Sequence, residues 1–529
     1  MSTLTKRDMA FLARIVPHLP PETLHQLIRY RGLEACAELV TAATPAQLTS
    51  VLDLDLWRHA RPGRDDLFDV DRFGEWLEVL ADAGDSVAAR TVAALDANLV
   101  VAGLSRYVRV FDPGIFEPTA QSDDEQTVRH DAMREGDSSD GWNECEIGGY
   151  LVRARRPDTW DAIVTLLNAL EAEHTTRFHA VMQGCRHLSN SRPEIDGLDD
   201  LLLAPEQHLH DVTIEREDRR SRQGYATPAD ARAFLEMARR ARHTRADVSQ
   251  TGSAVVNPIV KAYFRAVEQA PESSIETARS PQPESLEAVL ELLTEAGVLP
   301  ERPRALLEAA GAEPQTAGLA CLRRLMAHLR DTHENAYFTR SRELAFLANT
   351  LLAGCSVQSR PFTPQEASDA AAGICNLGLE YWPAVPPDSL LIDHDLVTAF
   401  EVGWSVLHQE VSLFAADQLI STLANVDCVD PDIRSGLAAL RRALLKERDA
   451  GTPWRARDAA EVLAMLDMTA WVAVLGLLDE CPVLPAALTA VLEGRTTRVS
   501  PTAFDFISTA AQIGSVRVFM ARLPELLSG

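Results

Sequence analysis

Along most of the chain, apolar residues recur every three or four positions, the spacing that gives a helix one buried face. Pro20-Pro21-Glu22 opens the first such run, Leu24, Leu27 and Ile28 share its face, and Gly32 follows its end. Thr44-Pro45-Ala46-Gln47 has the spacing of a capping box, with proline at the first helical position, and leads into Leu48, Val51 and Leu52. Asp69 precedes Phe73, Trp76, Leu77 and Leu80, and Gly84 closes that run. The first hundred residues therefore predict a compact domain of short helices.

The period changes at Tyr107, Val108, Val110 and Phe111, which are strand formers without a helical repeat. Residues 142–147 and 150–155 flank Gly148-Gly149, and two glycines supply the positive φ angles that a primed hairpin turn needs. Together these segments predict a three-stranded antiparallel sheet, the only β structure the pattern supports clearly. Between Asp112 and Ile147 stand eleven acids against Arg129 and Arg134, with few apolar residues. Residues 114–140 accordingly read as a mobile acidic loop without a core.

Helical spacing resumes after Pro157 with Trp160, Ile163, Val164, Leu167 and Leu170, and Thr227-Pro228 starts a run through Phe234, Leu235 and Ala238. Residues 246–257 and 271–285 are rich in Ser, Thr, Pro and Gln, which places a boundary near residue 275. Beyond it the pattern predicts helices at 284–296, 302–310, 316–329, 341–352, 363–377, 396–413, 431–448, 453–466, 469–479, 484–492 and 501–520. No fixed period aligns them, so a solenoid is not indicated. The expected fold is mainly α, with irregular multi-helix domains and one small antiparallel hairpin or sheet near residues 107–155. The expected division is a helical domain at 1–106, the hairpin with helices and acidic loop at 107–275, and an all-helical domain at 276–529.

At 529 residues the chain exceeds the roughly 250–300 residues at which a single core stops growing, which agrees with several domains. Its net charge of −26 repels phosphate backbones and anionic lipid surfaces, so nucleic acid is disfavoured as a partner. Residues 214–245 run against that average with nine arginines and five acids, a pattern that ion pairs along a solvated helix also explain. The eight cysteines occur singly, without a C-x-x-C pair, as buried thiols do in a reducing compartment. No apolar stretch of signal-peptide type precedes the first charges, and no uncharged stretch reaches the ~20 residues that span a bilayer. A cytoplasmic location is the expectation.

Motifs for phosphate-binding loops, dinucleotide folds and helix-borne zinc proteases are missing from the sequence. Ser405, in Gly403-Trp404-Ser405-Val406-Leu407, lacks the second glycine of a nucleophile elbow and sits in a helical pattern. Histidine density stands out instead: His174, His179, His187, His208 and His210 fall close together. If the helix persists, Glu171 and His174 share its apolar face in the Glu-x-x-His spacing of carboxylate-bridged metal sites, with Glu22 and His25 as a second instance. Glu171, His174, His179 and His187 are therefore the candidate divalent-metal ligands, with satisfied or surface histidines as the plainer alternative. The acid pairs Asp53/Asp55, Asp65/Asp66, Asp69/Asp71 and Asp393/Asp395 lack calcium-loop spacing and read as solvated helix ends and caps.

The segment Glu343-Leu-Ala-Phe-Leu-Ala-Asn-Thr-Leu-Leu-Ala-Gly-Cys355 continues through Arg360-Pro-Phe-Thr-Pro-Gln-Glu366 to Cys375-Asn-Leu-Gly-Leu-Glu380. With Asp393-His-Asp395, Phe400-Glu-Val-Gly-Trp404 and, more diffusely, Leu52-Asp-Leu-Asp-Leu-Trp57, it resembles a bacterial family of uncharacterised proteins, a domain of unknown function. That resemblance implies a bacterial, largely helical protein and brings no functional residue with it.

The expected function is that of a cytoplasmic helical adaptor, regulatory or assembly protein that binds another protein and needs no cofactor. A metal-dependent enzyme using a His/Glu site within 171–210 is the alternative. Protein purified without a histidine tag should carry no stoichiometric zinc, iron or manganese by elemental analysis. Bound metal lost on His174→Ala or His179→Ala would reverse the order of the two readings.

Overall fold

The computed structural model describes residues 16–19, 21–58, 66–111, 143–190, 204–240, 257–268, 317–358, 360–382, 387–425, 431–450, 470–485, 488 and 504–528. Of these residues 77% are helical, the remainder including a few small antiparallel strand pairs, so the fold is mainly α as the periodicity predicts. The described residues form two compact units, one holding those up to Arg58 and from Asp66 to Arg219, the other those from Arg220 onward.

In the first unit, α1 (Pro21–Arg31), α2 (Ala37–Ala42) and α3 (Pro45–Asp55) are followed by the short strands β1 (Trp57–Arg58) and β2 (Leu67–Phe68). Then come α4 (Val70–Asp82), α5 (Asp85–Ala94) and α6 (Ala97–Tyr107). The predicted caps form. The Thr44 hydroxyl accepts from the Gln47 N–H, and the Gln47 side chain accepts from the Thr44 N–H at 2.8 Å. The Gln47 amide also donates to the carbonyls of Val16 and Leu19, both at 2.7 Å, so one side chain starts α3 and fixes the preceding segment. Asp69 caps α4 through the Arg72 N–H at 3.1 Å.

Strands β3 (Val108–Phe111), β4 (Glu144–Ile147) and β5 (Tyr150–Ala154) form the expected antiparallel sheet in the order β3-β5-β4. Gly148 and Gly149 take φ of 55° and 78°, the conformation a two-residue primed turn requires. Val108, Val110 and Val152 are buried, and β3 packs on α8 (Thr175–Asn190), which follows α7 (Trp160–Glu173). Helix α9 (Ala204–Arg222) closes the unit's described chain.

The second unit holds α10 (Pro228–Arg240), α11 (Pro258–Glu268), α12 (Ala320–Thr332), α13 (Glu334–Gly354), the pair β6 (Ser356–Val357) and β7 (Arg360–Pro361), and α14 (Pro364–Glu380). After α15 (Leu390–Asp393) comes α16 (Leu396–Val406), which runs into a π-helical turn (Leu407–Leu413) and α17 (Phe414–Ala424). Helices α18 (Pro431–Ala450) and α19 (Ala470–Leu477), strands β8 (Val483–Pro485) and β9 (Phe504–Phe506), and α20 (Ala510–Ser528) complete it.

Two expectations are corrected here. Residues 484–485 and 504–506, read from the sequence as helix starts, are strands, with Val483 opposite Phe506 and Pro485 opposite Phe504. The three-stranded sheet is likewise not the only β structure, since β1–β2, β6–β7 and β8–β9 are further antiparallel pairs. Strands of two or three residues are too short for a period of two to be told from a helical one. The expected helices at 284–296, 302–310 and 453–466, and the acidic loop at 114–140, lie outside the described residues.

The segments of the family resemblance between Glu343 and Trp404 meet in the second unit's core. Helices α14 and α16 cross at Gly378 and Gly403. A Cβ on Gly378 would stand 1.8 Å from the Ala399 carbonyl oxygen, and one on Gly403 would stand 2.0 Å from that of Ile374. The two backbones touch because neither helix has a side chain at the crossing. Around it, the fully buried Asn376 side chain accepts from the Leu322 N–H (3.0 Å) and donates to the Ser508 carbonyl (2.8 Å), while the Trp404 indole donates to the Leu235 carbonyl (3.1 Å). A Gly378→Ala protein should lose about 3 kcal/mol or more in chemical denaturation, because the obstructing atoms are backbone and cannot rotate away. A loss under about 1 kcal/mol would mean that the helices separate at little cost.

Candidate functional site

Charged side chains gather inside the first unit where α1, α3, α4 and α9 meet. Asp53 and Asp55 occupy the last turn of α3 and are 2% and 6% exposed. This corrects the reading of that pair as a solvated helix end. Their Leu-Asp-Leu-Asp-Leu spacing sits on a helix whose opposite sides are both covered.

Asp55 accepts from the Arg72 Nε (2.7 Å) and the Trp76 indole (2.8 Å), and its other oxygen lies 3.2 Å from the His25 Nε2. Asp53 receives Arg219 in a two-pronged contact, Nε at 3.0 Å and an Nη at 2.9 Å. Arg216 donates to the Asp53 carbonyl and to the Asp66 carboxylate, both at 2.7 Å, and lies 4.7 Å from the centre of the Trp57 ring. Burial alone would raise the Asp55 carboxyl, but hydrogen bonds from His25, Arg72 and Trp76 outweigh it and hold the group well below the usual carboxylate range. Such a carboxylate stays ionised at any neutral pH, so it ties α3 to α1 and α4 and moves no proton.

Arg216 and Arg219 belong to the arginine-rich stretch at 214–245, and both are spent inside the protein. Sequence reasoning missed this role. The signal was present as two arginines three apart on a helix, but their acids lie 150 or more residues away.

The second unit buries acids with fewer partners. The Glu343 carboxylate accepts from the Leu396 N–H at 2.8 Å and pairs with Arg340, yet burial pushes it up to about 7. Glu401, one turn further along α16, is likewise pushed up to about 7 by burial and then by Asp395, against a hydrogen bond involving Asn257. Asp395 caps α16 through the Thr398 N–H at 2.7 Å, as the sequence reading of that pair expects. Burial and the nearby Arg239 push His408, in the π turn, down to about 3. Asp479, which accepts from the N–H groups of Gln358 and Glu480, is pushed up to about 6 by burial. Carboxyls that titrate near neutrality are the kind acid–base chemistry uses. Glu343, Glu401 and Asp479 have that property here; Glu343 meets the N-terminus of α16, and Glu401 lies on that helix.

The predicted metal candidates are placed as follows. Helix α7 ends at Glu173, and His174 is its C-cap with φ −136°, so the register that was to put Glu171 and His174 on one face stops before His174. His179 is exposed and lies at a tilt to the Tyr150 ring and edge-on to Phe178, with Nδ1 3.4 Å from the Tyr150 hydroxyl. His187 is exposed near the other end of α8. His208 lies 3.0 Å from the Asn98 carbonyl, and His25 faces Asp55. Among the described residues no three His, Cys, Asp or Glu side chains converge on a position that could hold a metal ion. None of the described helices is long and apolar enough to cross a membrane.

A family model described as a family of unknown function (DUF6178) matches residues 8–194. The match contains Asp53, Asp55, Arg72 and the three-stranded sheet, and stops short of residues 343–380, where the sequence resemblance is densest. No curated protein matches the chain, and no solved structure does.

Two variants separate the bracing acids from the strained ones. Asp55→Asn takes the buried carboxylate away from half-buried Arg72, leaving it only Glu75 among the described residues, and should cost about 3 kcal/mol at pH 7. For Glu401 the folded value lies above its ordinary 4.5, so folding favours the protonated form. Stability is full below about pH 4.5 and falls as the pH rises to about 7. Glu401→Gln should therefore match the parent at pH 4 and exceed it at pH 8 in thermal denaturation. A parent that is the more stable of the two at pH 8 would show that Glu401 is ionised and paired.

Proposed function

We propose that the chain is a cytoplasmic bacterial adaptor, regulatory or assembly protein that acts by binding another protein. The observation that supports this is how the candidate reactive groups are used. Asp53, Asp55 and Asp66 are consumed by Arg72, Arg216 and Arg219, and Asp69, Asp395 and Glu366 start helices. Groups fixed by two or three strong partners are poor at transferring protons or binding substrate, and good at holding a surface rigid. On helices of the second unit, large apolar side chains stand exposed, among them Phe338 at 55% and Val518 at 55%. A helical face with exposed aromatic or aliphatic groups offers anchors of the kind that protein interfaces bury.

The test is affinity capture of the full chain from its native cell, followed by reconstitution of the purified pair. A partner should co-elute in defined ratio and stay bound in moderate salt, since an apolar contact is little affected by screening. Phe338→Glu or Val518→Glu should weaken the reconstituted complex without changing the circular dichroism spectrum. Absence of any stoichiometric partner, or a complex indifferent to both substitutions and lost in salt, would overturn the reading.

A further inference from the structure

Against the net charge of −26, one edge of the first unit gathers cations that no described acid neutralises. Pairing of β3 with β5 sets Arg109 opposite Arg153. The Arg155 N–H donates to the Tyr107 carbonyl at 2.7 Å, which carries the alignment past the end of the sheet. Arg106 in the last turn of α6, Arg109 in β3 and Arg155 after β5 are thereby drawn together.

Their neighbours are accounted for. Arg153 pairs with Glu144 at 2.8 Å and lies 5.8 Å from the centre of the Phe111 ring. Arg156 pairs with Asp71 at 2.7 Å and Asp158 at 2.9 Å. Among the described residues, the side chains of Arg106, Arg109 and Arg155 have no ion pair and no hydrogen bond. Desolvation, followed by the like charges of Arg109 and Arg106, pushes the Arg155 guanidinium below its usual range. Arg109 and Arg155 are exposed and Arg106 is half-buried, so an anion in solution can reach all three.

We infer that Arg106, Arg109 and Arg155 form a binding site for a phosphate-type dianion, either a phosphomonoester group or inorganic phosphate. Three fixed positive charges exceed what a single carboxylate neutralises and suit a dianion. The planar guanidinium forks match the oxygens of a tetrahedral anion in pairs, which an ammonium group does not. A long polyanion would carry many further charges past the acidic remainder of the protein, so the site favours a compact group over nucleic acid. The site stands independently of the adaptor reading, because a free metabolite and a phosphorylated partner chain present the same group.

Isothermal titration of the full-length protein tests this with three probes: inorganic phosphate, a phosphoserine peptide with its unphosphorylated counterpart, and a single-stranded oligonucleotide. Saturable one-to-one binding of phosphate is expected, retained in physiological potassium chloride. Arg109→Gln, at an exposed strand position without a partner among the described residues, should fold normally and weaken binding by about tenfold or more, the effect of losing one charge-assisted contact. Arg153→Gln, whose guanidinium already has a carboxylate, should leave affinity in place. A phosphopeptide that binds more tightly than phosphate identifies the ligand as a modified chain, and equal affinities identify a free anion; either supports the site. Absence of saturable phosphate or phosphopeptide binding would overturn it, as would binding that survives the combined Arg106→Gln, Arg109→Gln and Arg155→Gln substitution, or an oligonucleotide that outcompetes both.

Discussion

Two helix backbones in direct contact set the geometry of the second unit. Where α14 crosses α16, Gly378 and Gly403 leave no side chain between the main chains, so the interaxial distance is fixed by backbone atoms and cannot be tuned by rotamers. Everything attached to α16 inherits that position. The Trp404 indole reaches the Leu235 carbonyl on α10, the α16 N-terminus meets the Glu343 carboxylate from α13, and Phe400 stacks on Trp404 with ring centres 5.9 Å apart. A looser crossing would break those contacts together. The π turn that follows at Leu407–Leu413 adds a residue to one helical turn and so re-aims the chain before α17, the usual effect of such an insertion.

The two units handle internal charge in opposite ways. In the first, each acid is matched by a cation or indole with good geometry, and the Asp55 carboxyl is held far below its ordinary range although it is removed from water. In the second, desolvation of the buried Glu343 and the half-buried Glu401 outweighs their hydrogen bonds, and they rise to about 7. A matched network resists a change of pH around neutrality, whereas an under-matched acid makes local stability depend on it. Near pH 7 the Asp55 carboxylate therefore stays ionised, whereas Glu343 and Glu401 at α16 can change protonation.

Local signals in the sequence were legible because their causes are local. Thr44 with Gln47 and Thr363 with Glu366 close their boxes within one turn, and Gly148-Gly149 sets its hairpin by its own φ angles. What failed had distant causes. Asp53 and Asp55 looked like solvated acids because the arginines that bury Asp53 lie 163 and 166 positions along the chain. Separately, and for a local reason, the shared helical face expected of Glu171 and His174 does not form, because α7 ends at Glu173. Strands β8 and β9 were read as helices because each is short enough to fit either period, and only their pairing across some twenty residues decides between them. The glycines of the resembling segments were visible as residues, but their purpose needs two helices in register.

The acidic surface and the arginine edge act over different distances, and that difference carries chemical meaning. The field of −26 charges reaches about a Debye length of ~8 Å at physiological salt and discourages any extended anion. Arg106, Arg109 and Arg155 act at contact, where a guanidinium can face a phosphate oxygen without intervening water. An anion small enough to sit within the reach of these three feels the attraction while exposing little charge to the repulsion. An elongated polyanion feels both, and the longer it is the more the repulsion counts. An acidic protein whose arginines on one sheet edge have no partner among the described residues thus selects for compact, doubly charged groups by size as well as by sign.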